Sequence, residues 1–306
     1  MSLKFTSYES PKVTFFAIDF AMPGMFDEPY ELLLGPSDCC EAVVVDYDQE
    51  KHARRPHALD DLIDETWARA LDAKPNLFDG AKFRLASASS SGGTATLRIG
   101  LTGYREYVGT NRAPHWERLA GDGGAHLSNA LGCETALETA DGMLALFRRS
   151  AAVATHGGLY NGPSGHAEPG RVRGFEGFRD VPLAAAAVSR ELLEDAILME
   201  TVEEVGVPLA SLSKPKLIGV MRDSRLKPDL LFLVRTTLVS EAVRARHATA
   251  VEAWESDDLR FVPVDAPDGA FPALTPVTRA ALACLRELRA REKARARTTA
   301  EIERDL

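Results

Sequence analysis

The chain has few cysteines, no long hydrophobic run and no excess of basic residues. Its 306 residues include four cysteines, none of them in a C-x-x-C pair, which argues against a zinc site and favours a reducing compartment. The amino-terminal segment lacks an apolar run of signal-peptide length, and no stretch approaches the length needed to span a membrane. We therefore expect a cytoplasmic protein with no membrane partner.

The charge balance is acidic, with a formal net charge of −9 at pH 7. General nucleic-acid binders present a basic field, so we expect no nucleic-acid partner. A nucleotide substrate is still compatible with this charge, because a metal ion and a few arginines can neutralise a diphosphate locally. The arginine-rich segment 286–297 is interleaved with acidic residues, a pattern typical of a solvated terminal helix.

Hydrophobic residues make up 45% of the chain and charged residues 26%, values typical of a globular protein with a substantial core. Strand patterns alternate with amphipathic helix patterns along the chain. Strands are predicted at 12–20, 41–47, 83–85, 94–101, 142–149, 217–221, 230–236 and 258–264, and helices at 59–73, at 183–205 and from 275 onward. This mixture predicts an α/β or α+β class. The polar segment 112–130 is expected to connect two lobes.

The most informative stretch is the acidic segment 199–207, which reads Met-Glu-Thr-Val-Glu-Glu-Val-Gly-Val. On a helix, the carboxylates of Glu200, Glu203 and Glu204 would occupy neighbouring positions on one face. Clustered carboxylates repel one another unless a hard cation lies between them, and Mg²⁺ takes oxygen ligands of this kind. Upstream, residues 165–170 form a glycine-bounded turn. A turn of this kind followed by an acidic helix indicates a metal-assisted diphosphate hydrolase.

The turn and the acidic helix together resemble the Nudix hydrolases, whose box runs G-x5-E-x7-R-E-U-x-E-E-x-G-U, where U is aliphatic. The matching residues are Gly165, Glu191, Glu200, Glu203, Glu204, Gly206 and Val207. The chain departs from this box in three ways. Met199 stands where the family has arginine, Thr201 replaces an aliphatic residue, and about twenty residues, 171–190, are inserted. The missing arginine removes an ion pair that supports the helix but not a metal ligand, and the insertion bears mainly on substrate access.

A more specific resemblance concerns residues 77–85 and 97–111, which are similar to the UDP-glucose diphosphatase branch of the Nudix hydrolases. That branch also has an interrupted box and a nonstandard residue in place of the arginine. The similarity extends from about Trp67 to about Ala281. It implies cleavage of UDP-glucose or UDP-galactose to UMP and a sugar 1-phosphate, with Mg²⁺ as cofactor and Mn²⁺ as the alternative. The implied partner is this small-molecule nucleotide sugar.

The resemblance also implies an architecture. We expect a Nudix α/β/α sandwich with a mixed sheet, preceded by a smaller α+β lobe. The predicted division is 1–130 for the amino-terminal lobe, which would recognise the base, 131–290 for the Nudix domain, and 291–306 for a charged helical tail.

The metal and catalytic residues follow from the same resemblance. Glu200 and Glu204 are the expected metal ligands, and Glu203 is a further ligand or a group that orients water. The backbone carbonyl of Gly165 is expected to complete the coordination shell. Glu255 precedes the strand at 258–264, where family members often carry a glutamate that acts as ligand or base. Because other acidic residues flank Glu255, a merely solvated side chain is the alternative there.

Five residues are expected to contact the substrate. The guanidinium of arginine matches phosphate geometry, and the resemblance selects Arg149 from the pair that ends its strand. His166 is expected to contact the diphosphate or the sugar, and Asn161 the sugar hydroxyls. Phe78 and Tyr104 are expected to recognise uracil by stacking. The alternatives are a surface arginine, a histidine that caps the turn, and a Phe78 that packs in the core.

Two other functions are compatible with the sequence. One is a Nudix hydrolase for another nucleoside diphosphate derivative, such as ADP-ribose. The other is a catalytically silent module that binds a nucleotide sugar, which Met199 and the insertion at 171–190 suggest. Against the silent module stands the complete set of clustered carboxylates, whose repulsion costs stability when no metal is bound.

Overall fold

The computed structural model describes residues 28–39, 42–150, 156–175, 177 and 183–305. In chain order the elements are β1 (Glu31–Leu34), β2 (Ala42–Tyr47), α1 (Asp61–Ala73), β3 (Ala81–Ser91), β4 (Thr94–Gly103), α2 (Tyr104–Gly109), α3 (Trp116–Leu119), α4 (Gly121–Gly124), β5 (Gly132–Glu138), β6 (Met143–Arg149), β7 (Tyr160–Asn161), β8 (Ser164–Gly165), α5 (Ala185–Arg190), α6 (Ala196–Val205), β9 (Lys216–Arg222), β10 (Pro228–Arg235), α7 (Ser240–His247), β11 (Ser256–Pro263) and α8 (Pro276–Asp305). Among the described helices, none combines the length and the apolar character that crossing a membrane requires.

The elements follow the sequence patterns closely. The predicted helix at 59–73 is α1, and Pro75 lies just beyond its end. The predicted helical segment 183–205 is one helical run formed by α5, a π-helical turn at Glu191–Asp195, and α6. The connecting segment 112–130 contains the short helices α3 and α4. The strand predicted at 12–20 lies outside the described residues.

Within the described part of the chain, the larger sheet has eight strands, in the order β1-β9-β10-β5-β6-β11, with β7 paired to β6 and β8 paired to β5. β10 runs parallel to β5 but antiparallel to β9, so the sheet is mixed. Because successive side chains of a strand point to opposite faces, Ala136 of β5 packs in a cluster with Leu285 of α8. Its neighbour Leu137 packs in a cluster with Val205 of α6. Helices cover both faces, and the predicted α/β/α architecture with a mixed sheet is confirmed.

The smaller sheet is formed by β2, β4 and β3, in that order. Its buried residues Phe83, Leu97 and Ile99 belong to one hydrophobic core with Ile197 of α6 and Phe232 of β10. The small sheet therefore packs on the same face of the larger sheet as α6. β1 lies before the small sheet in the chain but pairs with β9 of the larger sheet. The domain boundaries placed at 130 and 290 stay a prediction.

Two phenylalanines test this packing by the same substitution. Phe232 is 0% exposed in β10, whereas Phe78 is 77% exposed. Phe232→Ala leaves a core cavity and should lower the free energy of unfolding by about 3–5 kcal/mol. Phe78→Ala removes the same atoms from the surface and should change it by less than about 0.5 kcal/mol. Urea denaturation followed by circular dichroism measures both values, and equal losses would contradict the burial of Phe232.

Candidate active site

Helix α6 carries the acidic face that the sequence predicted. Ile197 and Thr201 are buried on its inner side, while Glu200, Glu203 and Glu204 lie on the partly exposed side. Thr201 occupies the position where the Nudix box has an aliphatic residue. Its hydroxyl donates to the carbonyl oxygen of Ile197 at 2.7 Å. The polar group is therefore satisfied inside the helix, and this departure from the box leaves the packing of α6 intact.

The end of α6 is fixed by a glycine and a histidine. Gly206 has a left-handed backbone (φ 75°) and ends the helix, and a Cβ there would lie 2.7 Å from the carbonyl oxygen of Arg246. His247 of α7 places Nδ1 2.9 Å from the carbonyl oxygen of Glu204 and Nε2 3.0 Å from Oγ of Ser256. Because a carbonyl only accepts, Nδ1 carries the proton and Nε2 accepts from Ser256. The histidine thus joins the acidic helix to the strand beside it.

Strand β8 brings backbone against the carboxylates. Gly165 pairs with Cys133 of β5, and a Cβ on Gly165 would overlap the carboxylate of Glu200. The backbone N–H of Ser164 points at both carboxylate oxygens of Glu204, at 3.3 and 3.4 Å. Because glycine has no Cβ, only glycine at position 165 lets the backbone lie this close to the Glu200 carboxylate. The turn and the acidic helix that resemble the two parts of the Nudix box are therefore in direct contact.

Glu252 joins this group, although the residues predicted from the sequence do not include it. One carboxylate oxygen from each of Glu200, Glu203 and Glu252 lies within 4.8 Å of the others. The backbone N–H of Glu252 donates to the carbonyl oxygen of Glu203 at 3.0 Å, which holds the loop before β11 against α6. The only sequence signal was a run of acidic residues between 252 and 258. That run does not reveal which members turn towards the helix.

Next to this group lies a narrow cleft. It is lined by Phe147, Arg149, Asn161, Glu204, Glu252, Glu255 and Ser256. Arg148, the neighbour of Arg149, instead pairs with Asp257 at 2.5 Å. The alternation of side chains along β6 thus separates the two arginines, and Arg149 is the one that lines the cleft. Asn161 is buried and donates its amide to Oγ of Ser164 at 2.8 Å.

The electrostatics of the cleft are those of crowded carboxylates. The pKa of Glu200 is raised to about 7, chiefly by burial and then by the charges of Glu252 and Glu203, against the lowering effect of the Arg171 charge. Burial, followed by the charges of Glu200 and Glu255, also holds the pKa of Glu204 well above its usual range. Carboxyl groups so placed are stabilised by a proton or by a cation.

On the other side of Gly165, His166 lies near basic residues. Burial, and then the positive charges of Lys227 and Lys82, hold its pKa well below the usual range. The imidazole is therefore neutral at pH 7 and offers hydrogen bonds rather than charge. Lys227 pairs with Asp229 at 2.5 Å, in a contact that is mostly buried.

The two aromatic residues predicted to bind the base lie at one end of the small sheet. Phe78 precedes β3 and is exposed. Tyr104 begins α2, where its ring meets those of Trp67 and Tyr107 edge-on or tilted, each at 6.1 Å between centroids. Neither residue lines the cleft described above. Their role in base recognition stays a prediction.

No protein-family profile matches the chain. Curated relatives are nevertheless similar to it over most of its length. Uridine diphosphate glucose pyrophosphatase NUDT22 of Homo sapiens is 39% identical over 227 residues, which cover 69% of this chain and 75% of that protein. Nudix hydrolase 9 of Arabidopsis thaliana is 31% identical over 260 residues, which cover 77% of this chain and 83% of that protein. The chain belongs to the Nudix hydrolases. The enzyme class predicted from the turn and the acidic helix is confirmed.

Solved structures of Nudix proteins align only in part. A Nudix hydrolase from M. smegmatis, RenU, aligns at 16% identity and a TM-score of 0.29 over 52% of this chain and 84% of that chain. The MutT protein from Methanosarcina mazei Go1 aligns at 15% identity and a TM-score of 0.31 over 51% of this chain and 93% of that chain. Superpositions this weak add nothing to the family assignment, which rests on the sequence relatives.

In this Nudix hydrolase, Glu191 of the box holds the loop that follows Gly165. It is 5% exposed and accepts the backbone N–H of Glu168 at 3.2 Å. Glu168 also pairs with Lys82 of β3 at 2.5 Å. These contacts fasten the loop to the helical run on one side and to the small sheet on the other.

Glu134 of β5 supports the site from behind and is absent from the residues predicted from the sequence. It is 2% exposed, accepts the backbone N–H of Gly162 at 3.4 Å, and is hydrogen-bonded to Thr278 in the first turn of α8. Burial raises the pKa of Glu134 to about 8. The signal that could have identified it was a glutamate near the start of a strand, Gly132–Glu138, in which every residue is buried.

We expect Gly165→Ala to lower the rate of nucleoside diphosphate hydrolysis by about a hundredfold, because the new Cβ displaces the Glu200 carboxylate. Gly170→Ala is the matched control, since a Cβ at Gly170 meets no atom within 4 Å. Rates of both variants are measured on protein shown by circular dichroism to be folded. Equal activity of the two variants would show that the Glu200 carboxylate tolerates displacement.

Glu134 makes stability depend on pH. Its pKa is about 8 in the folded protein against an ordinary value of 4.5. Between these values the unfolded chain releases the proton that the folded protein keeps, so stability falls as pH rises from about 5 to about 8. The amide of Glu134→Gln does not titrate, and all other titrating groups are the same in both proteins. Calorimetric melting temperatures in chelator should therefore fall more in the wild type than in the variant. If the difference in melting temperature between the wild type and the variant stayed constant from pH 5 to 9, the raised pKa of Glu134 would be refuted.

Proposed function

We propose that this Nudix hydrolase cleaves UDP-glucose or UDP-galactose to UMP and a sugar 1-phosphate, with Mg²⁺ as its cofactor. The observation that carries the proposal is the convergence of the Glu200, Glu203 and Glu252 carboxylates within 4.8 Å. Glu200 lies against the Gly165 backbone, and Glu252 lines a cleft that contains an arginine. The choice of UDP-sugars is supported by the similarity to proteins named as uridine diphosphate glucose pyrophosphatases.

The side chains present fit a hard divalent cation. Their donors are carboxylate oxygens, which Mg²⁺ prefers. The pKa values of Glu200 and Glu204 are raised by burial and then by neighbouring carboxylate charges, and a cation would offset both effects. We assign Glu200 and Glu204 as ligands with the Gly165 carbonyl, and add Glu203 and Glu252, whose carboxylates converge with that of Glu200. Bound there, the cation would supply positive charge to offset the negative charge that develops on the phosphoryl oxygens.

The remaining residues bind and orient the substrate. Arg149, in the cleft wall, is suited to hold the diphosphate through its forked donors. Asn161 lines the same cleft, and we assign it to the sugar hydroxyls. Burial, with the charge of Glu252, raises the pKa of Glu255, which suits this carboxylate to accept a proton from the attacking water. His166, as a neutral imidazole, would form hydrogen bonds to the diphosphate or the sugar.

The assay is incubation with UDP-glucose and Mg²⁺, with UMP quantified by chromatography. We expect turnover by the wild type and a loss of about a hundredfold or more in kcat/KM for Glu204→Gln, the scale seen when a group that stabilises transition-state charge is removed. Glu194→Gln is the control, because Glu194 lies on the same helical run and pairs with Lys214 at 3.8 Å, away from the cleft. Full activity of Glu204→Gln would remove Glu204 from the mechanism and count against the proposed metal site.

A second arm of the assay replaces UDP-glucose with ADP-ribose. We expect UDP-glucose to be cleaved faster. Faster cleavage of ADP-ribose would still identify a Nudix hydrolase, but it would overturn the assignment of uracil as the preferred base. Calorimetric binding of UDP-glucose without hydrolysis in either Mg²⁺ or Mn²⁺ would instead identify a silent binding module.

A further inference from the structure

Arg171 is the first residue of the segment inserted into the Nudix box, and it reaches the acidic helix. Its Nη2 lies 3.6 Å from Oε2 of Glu203 and 3.9 Å from Oε1 of Glu200. We propose that Arg171 is an internal counter-cation, which neutralises these carboxylates when no metal is bound and competes with the divalent cation for them. The proposal rests on the metal site of the proposed function.

The acidic helix needs such a cation because its own sequence does not supply one. The Glu200 side chain is 13% exposed and the Glu203 side chain 31%, so water screens their repulsion only in part. Glu252 adds a third carboxylate within 4.8 Å. The residue before Glu200 is Met199, which carries no charge. Arg171 reaches both glutamates from outside the helix and thus supplies a positive charge that the helix lacks.

Arg171 has a hydrogen-bonded backbone and a partly exposed side chain. Its N–H donates to the carbonyl oxygen of Glu168 at 3.0 Å in a single 3-10 turn, Pro169–Arg171. Glu168 is held in turn by Lys82 and Glu191. The Arg171 side chain, however, is 35% exposed. Rotation about its side-chain bonds therefore moves the guanidinium into solvent without any change in the loop.

The geometry favours competition over structural support. Distances of 3.6 and 3.9 Å are those of a loose ion pair rather than of a bidentate hydrogen bond. The guanidinium also faces the two glutamates that converge with Glu252. A competitor and a support have opposite effects on metal affinity. Removing a competitor tightens metal binding, whereas removing a support that positions the ligands weakens it.

The test is calorimetric titration of Mg²⁺ into chelator-treated protein without substrate. Arg171→Gln should bind Mg²⁺ about two- to fivefold more tightly than the wild type, the effect of losing one partly exposed ion pair. Arg173→Gln is the matched control, because it makes the same change of charge at an exposed neighbour. Its affinity should equal that of the wild type.

Thermal melting gives a second measurement. In chelator, Arg171→Gln should melt at a lower temperature than Arg173→Gln, because its carboxylates have lost their counter-cation. Saturating Mg²⁺ should then raise its melting temperature by a larger amount than it raises that of Arg173→Gln. Equal melting of the two variants in chelator would overturn the proposal.

The titration also separates this proposal from the proposed function. If the wild type binds Mg²⁺ and Arg171→Gln binds it no more tightly than Arg173→Gln does, the counter-cation is refuted and the metal site stands. If none of the three proteins binds Mg²⁺ or Mn²⁺, both proposals fall together. Tighter binding by Arg171→Gln alone supports both.

Discussion

Mutual repulsion among carboxylates is the constraint on which the rest of this site depends. Glu200, Glu203 and Glu252 converge, and Glu204 lines the adjacent cleft, where water screens these charges only in part. On flexible segments of chain, these carboxylates would move apart because they repel one another. The protein prevents this by placing three of them on one rigid helix, which is packed by its apolar face and ended by Gly206. The crowding makes the group suited to a cation.

The surroundings hold this helix from several directions. Gly165 brings backbone against Glu200, and His247 joins the end of α6 to the strand that carries Ser256. Behind the sheet, Glu134 connects the segment before Gly165 to α8. The small sheet shares its core with α6. The acidic face is therefore supported by both sheets, and its geometry depends on residues far apart in the chain.

Local patterns predicted the elements well because each carries its own physical signal. The i, i+3, i+4 spacing placed the glutamates of α6 on one face, and alternating side chains along β6 separated Arg148 from Arg149. Glu252 and Glu134 were missed for two different reasons. Glu252 is one of several acidic residues in a loop, and Glu134 is one of two glutamates in the same strand. Their partners come from other elements, so no local pattern points to them.

By itself, the sequence determined the α/β class, the position of the acidic helix and its link to a glycine turn, since these depend on spacing along one segment. Only the tertiary structure decided which side chains share the cleft. It brought Glu252 to Glu203 across 49 positions of chain, and it turned Arg171 towards a helix that lies beyond the inserted segment. The physical reason is that long-range contacts depend on how sheets and loops pack, and packing is a property of the whole fold.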